Sequence, residues 1–94
     1  MDAAEYFAQI EQGLIPHLGT PRRTRKGVHF GSIGLEYECI GATMLIFLDT
    51  LNWHRSATWD GAIHLDWRHT SVTTAVAQVQ EMIERGRRRV GNIL

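Results

Sequence analysis

The sequence predicts an α+β fold: an N-terminal helix, a three- to four-stranded antiparallel meander and a C-terminal helix, with both helices on one face of the sheet. Three observations carry this. Residues 35–48 (LEYECIGATMLIFL) contain two apolar-rich arms around Gly41-Ala42, the signature of a tight β-hairpin. Residues 62–67 alternate Ile63, Leu65 and Trp67 with His64 and Asp66, the period-2 pattern of a strand with one buried face. Apolar residues recur at helical spacing near both ends of the chain.

In the first helix, expected over residues 2–14, Asp2 and Glu5 stand in a variant of the capping-box arrangement. Ala3, Phe7, Ile10 and Leu14 form its apolar face, and Glu11 and Gln12 are expected to face water. Gly13 and Pro16 argue that the helix stops by residue 14 or 15. Residues 16–27 then read as an exposed basic loop, punctuated by Gly19, Pro21 and Gly27 and carrying Arg22, Arg23, Arg25 and Lys26.

Residues 28–40 read as an extended segment in which Gly31 and Gly34 mark a bulge or a break into two short strands. A two-residue turn at Gly41-Ala42 sets the register: Cys39 faces Met44, Tyr37 faces Ile46 and Leu35 faces Leu48. That face is apolar and belongs to the core, so Cys39 is expected to be buried as a small apolar residue. On the reverse face Glu38 lies beside Leu45 and Glu36 beside Phe47, with Asp49 further along.

Residues 51–60 (LNWHRSATWD) read as either a loop or a strand. The Asp60-Gly61 turn signal would place Arg55 opposite Asp66 and Trp53 beside Arg68. The following strand is expected to end at Trp67 or His69. Thr70 or Ser71 caps the second helix, whose stripe of Val72, Ala75, Val76, Val79, Met82 and Ile83 runs to about Arg85. Gly86 is placed to end it, leaving residues 86–94 as a basic tail with an apolar end.

Ninety-four residues suffice for one modest core, so residues 1–94 are read as a single domain. A chain that is 44% hydrophobic and 21% charged is of ordinary globular composition. The single cysteine cannot form an intramolecular disulfide, which suits a reducing compartment, and no apolar stretch approaches the length of a membrane span. The expected location is cytoplasmic, with no membrane partner.

Net charge is zero, yet eight of the ten basic residues fall in two clusters: Arg22, Arg23, Arg25 and Lys26, then Arg85, Arg87, Arg88 and Arg89. Glu36, Glu38, Asp49, Asp60 and Asp66 lie between them. Electrostatic function therefore rests on local patches rather than on total charge.

No motif specifies catalysis, a cofactor or a metal. His64 and Asp66 share a strand face with Arg68, but no H-x-x-x-H, C-x-x-C or D-x-D-x-D spacing is present, so no enzyme, no cofactor and no metal site is expected. The order helix, antiparallel strands, helix resembles the double-stranded RNA-binding domain in element order over most of the chain. That resemblance is one of architecture alone; on charge, Arg22, Arg23, Arg25, Lys26, Arg87, Arg88 and Arg89 fit a duplex partner. The second helix begins SVTTAVAQ, without the basic residues that such domains place there.

The expected function is non-catalytic binding of another protein or a protein–nucleic acid complex. The candidate surface is Glu36, Glu38, Leu45, Phe47 and Asp49 on the reverse sheet face, joined by Trp53, Trp59 and Asp60 of the following segment. Small stoichiometric inhibitors encoded by phages and other mobile elements, anti-CRISPR proteins among them, have this size and charge layout, and an acidic face can occupy a basic nucleic-acid groove. Nucleic acid is the alternative partner, and self-association through the apolar reverse face would give a homodimer.

Overall fold

The computed structural model describes residues 1–25, 27–48 and 62–93, with the backbone alone from residue 87. The described elements are α1 (Ala3–Leu18), β1 (Arg22–Arg23), β2 (Gly27–Phe30), β3 (Ile33–Ile40), β4 (Thr43–Leu48), β5 (Ala62–Asp66) and α2 (Val72–Ile93). The strands form one antiparallel meander in the order β1-β2-β3-β4-β5, one strand more than the upper expectation. The extra strand is β1, in a segment whose Gly, Pro and cation content resembles a loop.

Register follows from the turns. Gly41 has φ 62° while no non-glycine residue has positive φ. A two-residue turn with positive φ at its first central position only is of type II′, and it closes the Ile40–Thr43 pair. Pairing then runs Cys39–Met44, Tyr37–Ile46 and Leu35–Leu48, as the alternation predicts. Gly31, with φ 64°, makes the same kind of turn between Phe30 and Ile33, so the extended segment of residues 28–40 breaks into two strands there while Gly34 stays within β3.

This register puts Val28, Phe30, Ile33, Leu35, Met44, Ile46, Leu48 and Leu65 on one face, and all are buried. The same cluster contains Tyr6, Phe7, Ile10 and Leu14 of α1 and Ala75, Val76, Val79, Met82 and Ile83 of α2. Both helices therefore cover one sheet face. They approach closely where α1 has no side chain: a Cβ on Gly13 would sit 2.6 Å from Val76 Cγ2.

Asp2 caps α1, accepting a 2.8 Å hydrogen bond from the Glu5 amide. The helix runs past Pro16 to Leu18 rather than stopping at residue 14 or 15. Proline removes the bond to the Gln12 carbonyl, but Gln12 and Pro16 are both exposed, on the side of a helix where losing one such bond costs least. On the opposite side Leu14 is buried and Ile15 and Leu18 pack on the core, which holds the last turn in place. Gly19, with φ 89°, ends it through an amide bond to the Ile15 carbonyl. At the start of α2, Ser71 is the cap, its hydroxyl accepting from the Thr74 amide at 3.1 Å. This helix also overruns its expected end: Gly86 lies inside it, so residues 86–93 are helical rather than a tail. An interior glycine costs only about 1 kcal/mol, too little to terminate a helix that is otherwise favourable. Arg85 is thus mid-helix, bonded to Glu81 one turn back at 3.1 Å.

Glu11 does not face water. It is 4% exposed and accepts a 3.0 Å bond from Arg23 of β1. Periodicity puts Glu11 on the margin of the apolar stripe, four residues from Phe7 and three from Leu14; β1 then folds across it and brings the cation. Arg23 is itself 72% exposed, so solvent screens the pair from one side. Arg23→Ala is expected to cost about 1–2 kcal/mol by leaving a buried carboxylate without its partner, whereas Glu11→Gln costs less. Urea denaturation of both single variants and the double variant measures the coupling, and equal effects of the two singles would contradict the assignment.

Candidate functional site

The face of the sheet opposite the helices is built by the same ladder. Across the strands, Gly27, Glu36, Phe47 and Ala62 form one row; Glu38, Leu45 and His64 form the next; Ile40, Thr43 and Asp66 form the third. Leu45 and Phe47 stand at the centre, half-buried. Glu38, Ile40, His64 and Asp66 around them are exposed. The surface is an apolar centre with carboxylates along the β3 side and at the β5 end.

Glu36, Glu38, Leu45 and Phe47 are therefore brought together as the alternation requires. Asp49, Trp53, Trp59 and Asp60 lie outside the described residues, as does the expected pairing of Arg55 with Asp66 and of Trp53 with Arg68. What sequence reading of β4 alone omits is β5: its pairing adds His64 beside Leu45 and Asp66 beside Thr43. The signal that finds them is the clean alternation of residues 62–66, once β5 is paired directly with β4.

His64, Asp66 and Arg68 do not combine into a single polar centre. Asp66 Oδ2 lies 2.9 Å from His69 Nδ1 in the turn after β5, and the His69 amide donates to the Asp66 carbonyl. Arg68 stacks over Trp67, its guanidinium carbon 5.3 Å from the ring centroid. His64 and Glu38 flank Leu45 from opposite sides, about 10 Å apart at a strand spacing of ~4.8 Å, too far for a hydrogen bond. Among the described residues no group of three or more His, Cys, Asp or Glu is placed to hold a metal ion.

β5 ends at Asp66, before Trp67. The Trp67 ring nevertheless packs against the core, 5.9 Å from Tyr6, with its Nε1 buried and without a hydrogen-bond partner among the described residues. The Tyr6 hydroxyl donates to the Thr70 carbonyl at 2.8 Å, and burial pushes its pKa above the ordinary tyrosine value.

Cys39 departs from expectation. Its register position is on the core face opposite Met44, yet it is exposed. Met44 is covered on both flanks by β3 and β5, whereas Cys39 stands beyond the end of β2, where no described strand covers its outer side.

The basic clusters are distributed differently from the sheet face. Arg22, Arg23 and Arg25 are exposed on the β1–β2 hairpin at the sheet's first edge. Lys26 lies outside the described residues, and Arg87, Arg88 and Arg89 lie along the backbone of α2. No described helix is long and apolar enough to cross a membrane. Comparison of the chain with protein-family models, with curated proteins and with solved structures finds no match.

Proposed function

We propose that this chain is a non-enzymatic protein-binding module whose open sheet face engages a basic surface on its partner, in the manner of small stoichiometric inhibitors carried by phages and mobile elements. One observation carries the reading: the ladder sets Glu38 beside Leu45 and Glu36 beside Phe47, on the face that both helices leave uncovered. A large apolar centre supplies the desolvated anchor of an interface, and peripheral carboxylates favour a cationic partner and raise its encounter rate.

Phe47→Ala is expected to weaken partner capture at least about tenfold, corresponding to loss of an anchor residue. Glu38→Lys is expected to weaken it further at low salt, through charge repulsion. The measurement is retention of a host-lysate protein on the immobilised chain, with each variant compared to the parent and its melting curve recorded. Undiminished capture by Phe47→Ala and Glu38→Lys would remove the open face as the site.

The second reading is duplex RNA or DNA binding through the exposed Arg22, Arg23 and Arg25 on the edge hairpin together with Arg87, Arg88 and Arg89. It predicts a mobility shift at low salt that falls steeply as salt rises. Absence of any shift with either duplex eliminates it.

A further inference from the structure

Among the described residues, strand lengths leave one segment of backbone half paired. β2 ends at the Gly27–Glu36 pair, while β3 continues through residues 37–40, which pair with β4 on their other side. Among the described residues, nothing pairs with residues 37–40 on the β2 side. The closing pair of a two-residue hairpin exchanges both backbone hydrogen bonds, so Ile40 and, by alternation, Glu38 turn their amides and carbonyls toward β4. Tyr37 and Cys39 turn theirs outward, to the unpaired edge. An edge of this kind is a template for another strand.

The space beside it is a built groove. A cleft of about 770 Å³ runs along this edge, lined by Ala4, Phe7 and Ala8 of α1, Arg25 of the β1–β2 turn, and Tyr37 and Cys39 of β3. Ala4 and Ala8 are one helical turn apart and both small, so α1 leaves side-chain room between itself and the edge. Phe7 and Tyr37 stack at 4.4 Å and form an aromatic floor. At the hairpin end Arg23 and Glu11, tied to each other by their ion pair, also line the groove.

We infer that this edge takes an extended peptide of a partner protein, which adds in line with β2 and carries apolar residues alternating with basic ones. A strand paired with residues 37–40 sends alternate side chains to opposite faces. Those on the helix side enter the groove over Phe7 and between Ala4 and Ala8, where an apolar side chain fits. Those on the other side run beside Glu38, which is exposed, and so are cationic. The main chain supplies affinity through the outward groups of Tyr37 and Cys39, and the alternation supplies specificity. This site borders the Leu45-centred face, with Glu36, Glu38 and Phe47 lining both, but it reads a peptide backbone rather than a folded surface.

The test uses a short fluorescent peptide of alternating valine and lysine, and a second peptide of the same composition with the valines and lysines in separate blocks. Anisotropy titration is expected to show the alternating peptide binding at least about tenfold more tightly. Cys39→Pro removes an outward amide while leaving the β4 ladder intact, since Cys39 makes no bond to β4, and is expected to abolish that preference. Ala8→Leu fills the groove from a helix position that tolerates leucine, and is expected to do the same should the proline variant fail to fold. Equal binding of the two peptides, or an undiminished preference in a folded Cys39→Pro or Ala8→Leu, overturns the inference. Sedimentation showing a dimer that Cys39→Pro dissociates would also overturn it, assigning the edge to a second copy of this chain. Peptide binding and capture of a folded partner are read separately, so failure of one leaves the other standing.

Discussion

Gly27→Ala is expected to unfold most of the molecule under conditions where the parent is folded. A Cβ at this position would lie 1.8 Å from the Leu35 carbonyl oxygen, 2.8 Å from its carbonyl carbon and 2.9 Å from Glu36 Cα. All three are backbone atoms of the neighbouring strand, so no rotamer change relieves the overlap and the strands must separate. The glycine is needed for this close approach, not for a left-handed backbone conformation. The loss propagates. The Gly27 carbonyl accepts from the Thr24 amide, and its own amide donates to Thr24 Oγ1, so the β1–β2 turn is anchored on this residue. That turn holds Arg23 against buried Glu11. We expect a loss of at least about 3 kcal/mol, a large share of the 5–15 kcal/mol typical of a whole domain. Urea denaturation followed by circular dichroism measures it; an unfolding free energy within about 1 kcal/mol of the parent's would mean that β2 and β3 part without cost.

The second large effect separates two adjacent residues. Ile46 has no exposed surface and sits in β4, an interior strand, between Tyr37 and Ile63. Ile46→Ala removes buried methyl and methylene groups and leaves a cavity under both helices, at a cost of about 2–5 kcal/mol. Phe47, one residue on, points to the opposite face and is half-buried. Its truncation is expected to lower stability by less than Ile46→Ala does, while weakening capture of the partner at least about tenfold. Denaturation curves and capture assays on the two variants should thus give opposite rankings. Equal loss of stability would mean that Phe47 is a second core residue and would weaken the open-face reading.

Much of the arrangement is legible along the chain because it is encoded at short range. Alternation in residues 33–40 and 43–48 assigns each side chain to a face, and Gly41 sets the turn that aligns the two arms. From these local facts the register and the juxtaposition of Glu36, Glu38, Leu45 and Phe47 follow. The apolar stripes at helical spacing likewise identify the faces that α1 and α2 bury, and Asp2 and Ser71 mark where those helices begin.

Where the elements end, and what covers each face, are different matters. Pro16 and Gly86 are local signals for termination, and both are overridden: burial of Leu14 and partial burial of Leu18 hold the end of α1, and α2 runs on through a glycine that costs little. Arg22 and Arg23 carry no strand signal, yet pairing with His29 and Val28 makes them β1. Glu11 and Cys39 reverse their expected environments for one reason. A period assigns a residue to a side of its own element, but exposure depends on whether a neighbour extends far enough to cover that side. β1 reaches Glu11 and supplies its counter-ion; β2 stops short of Cys39, and among the described residues no strand covers the edge beside it. Which way each side chain faces is written in local patterns along the chain. How far each face is covered emerges in three dimensions, because the relative lengths of paired strands are settled by packing between distant segments and not by any local pattern.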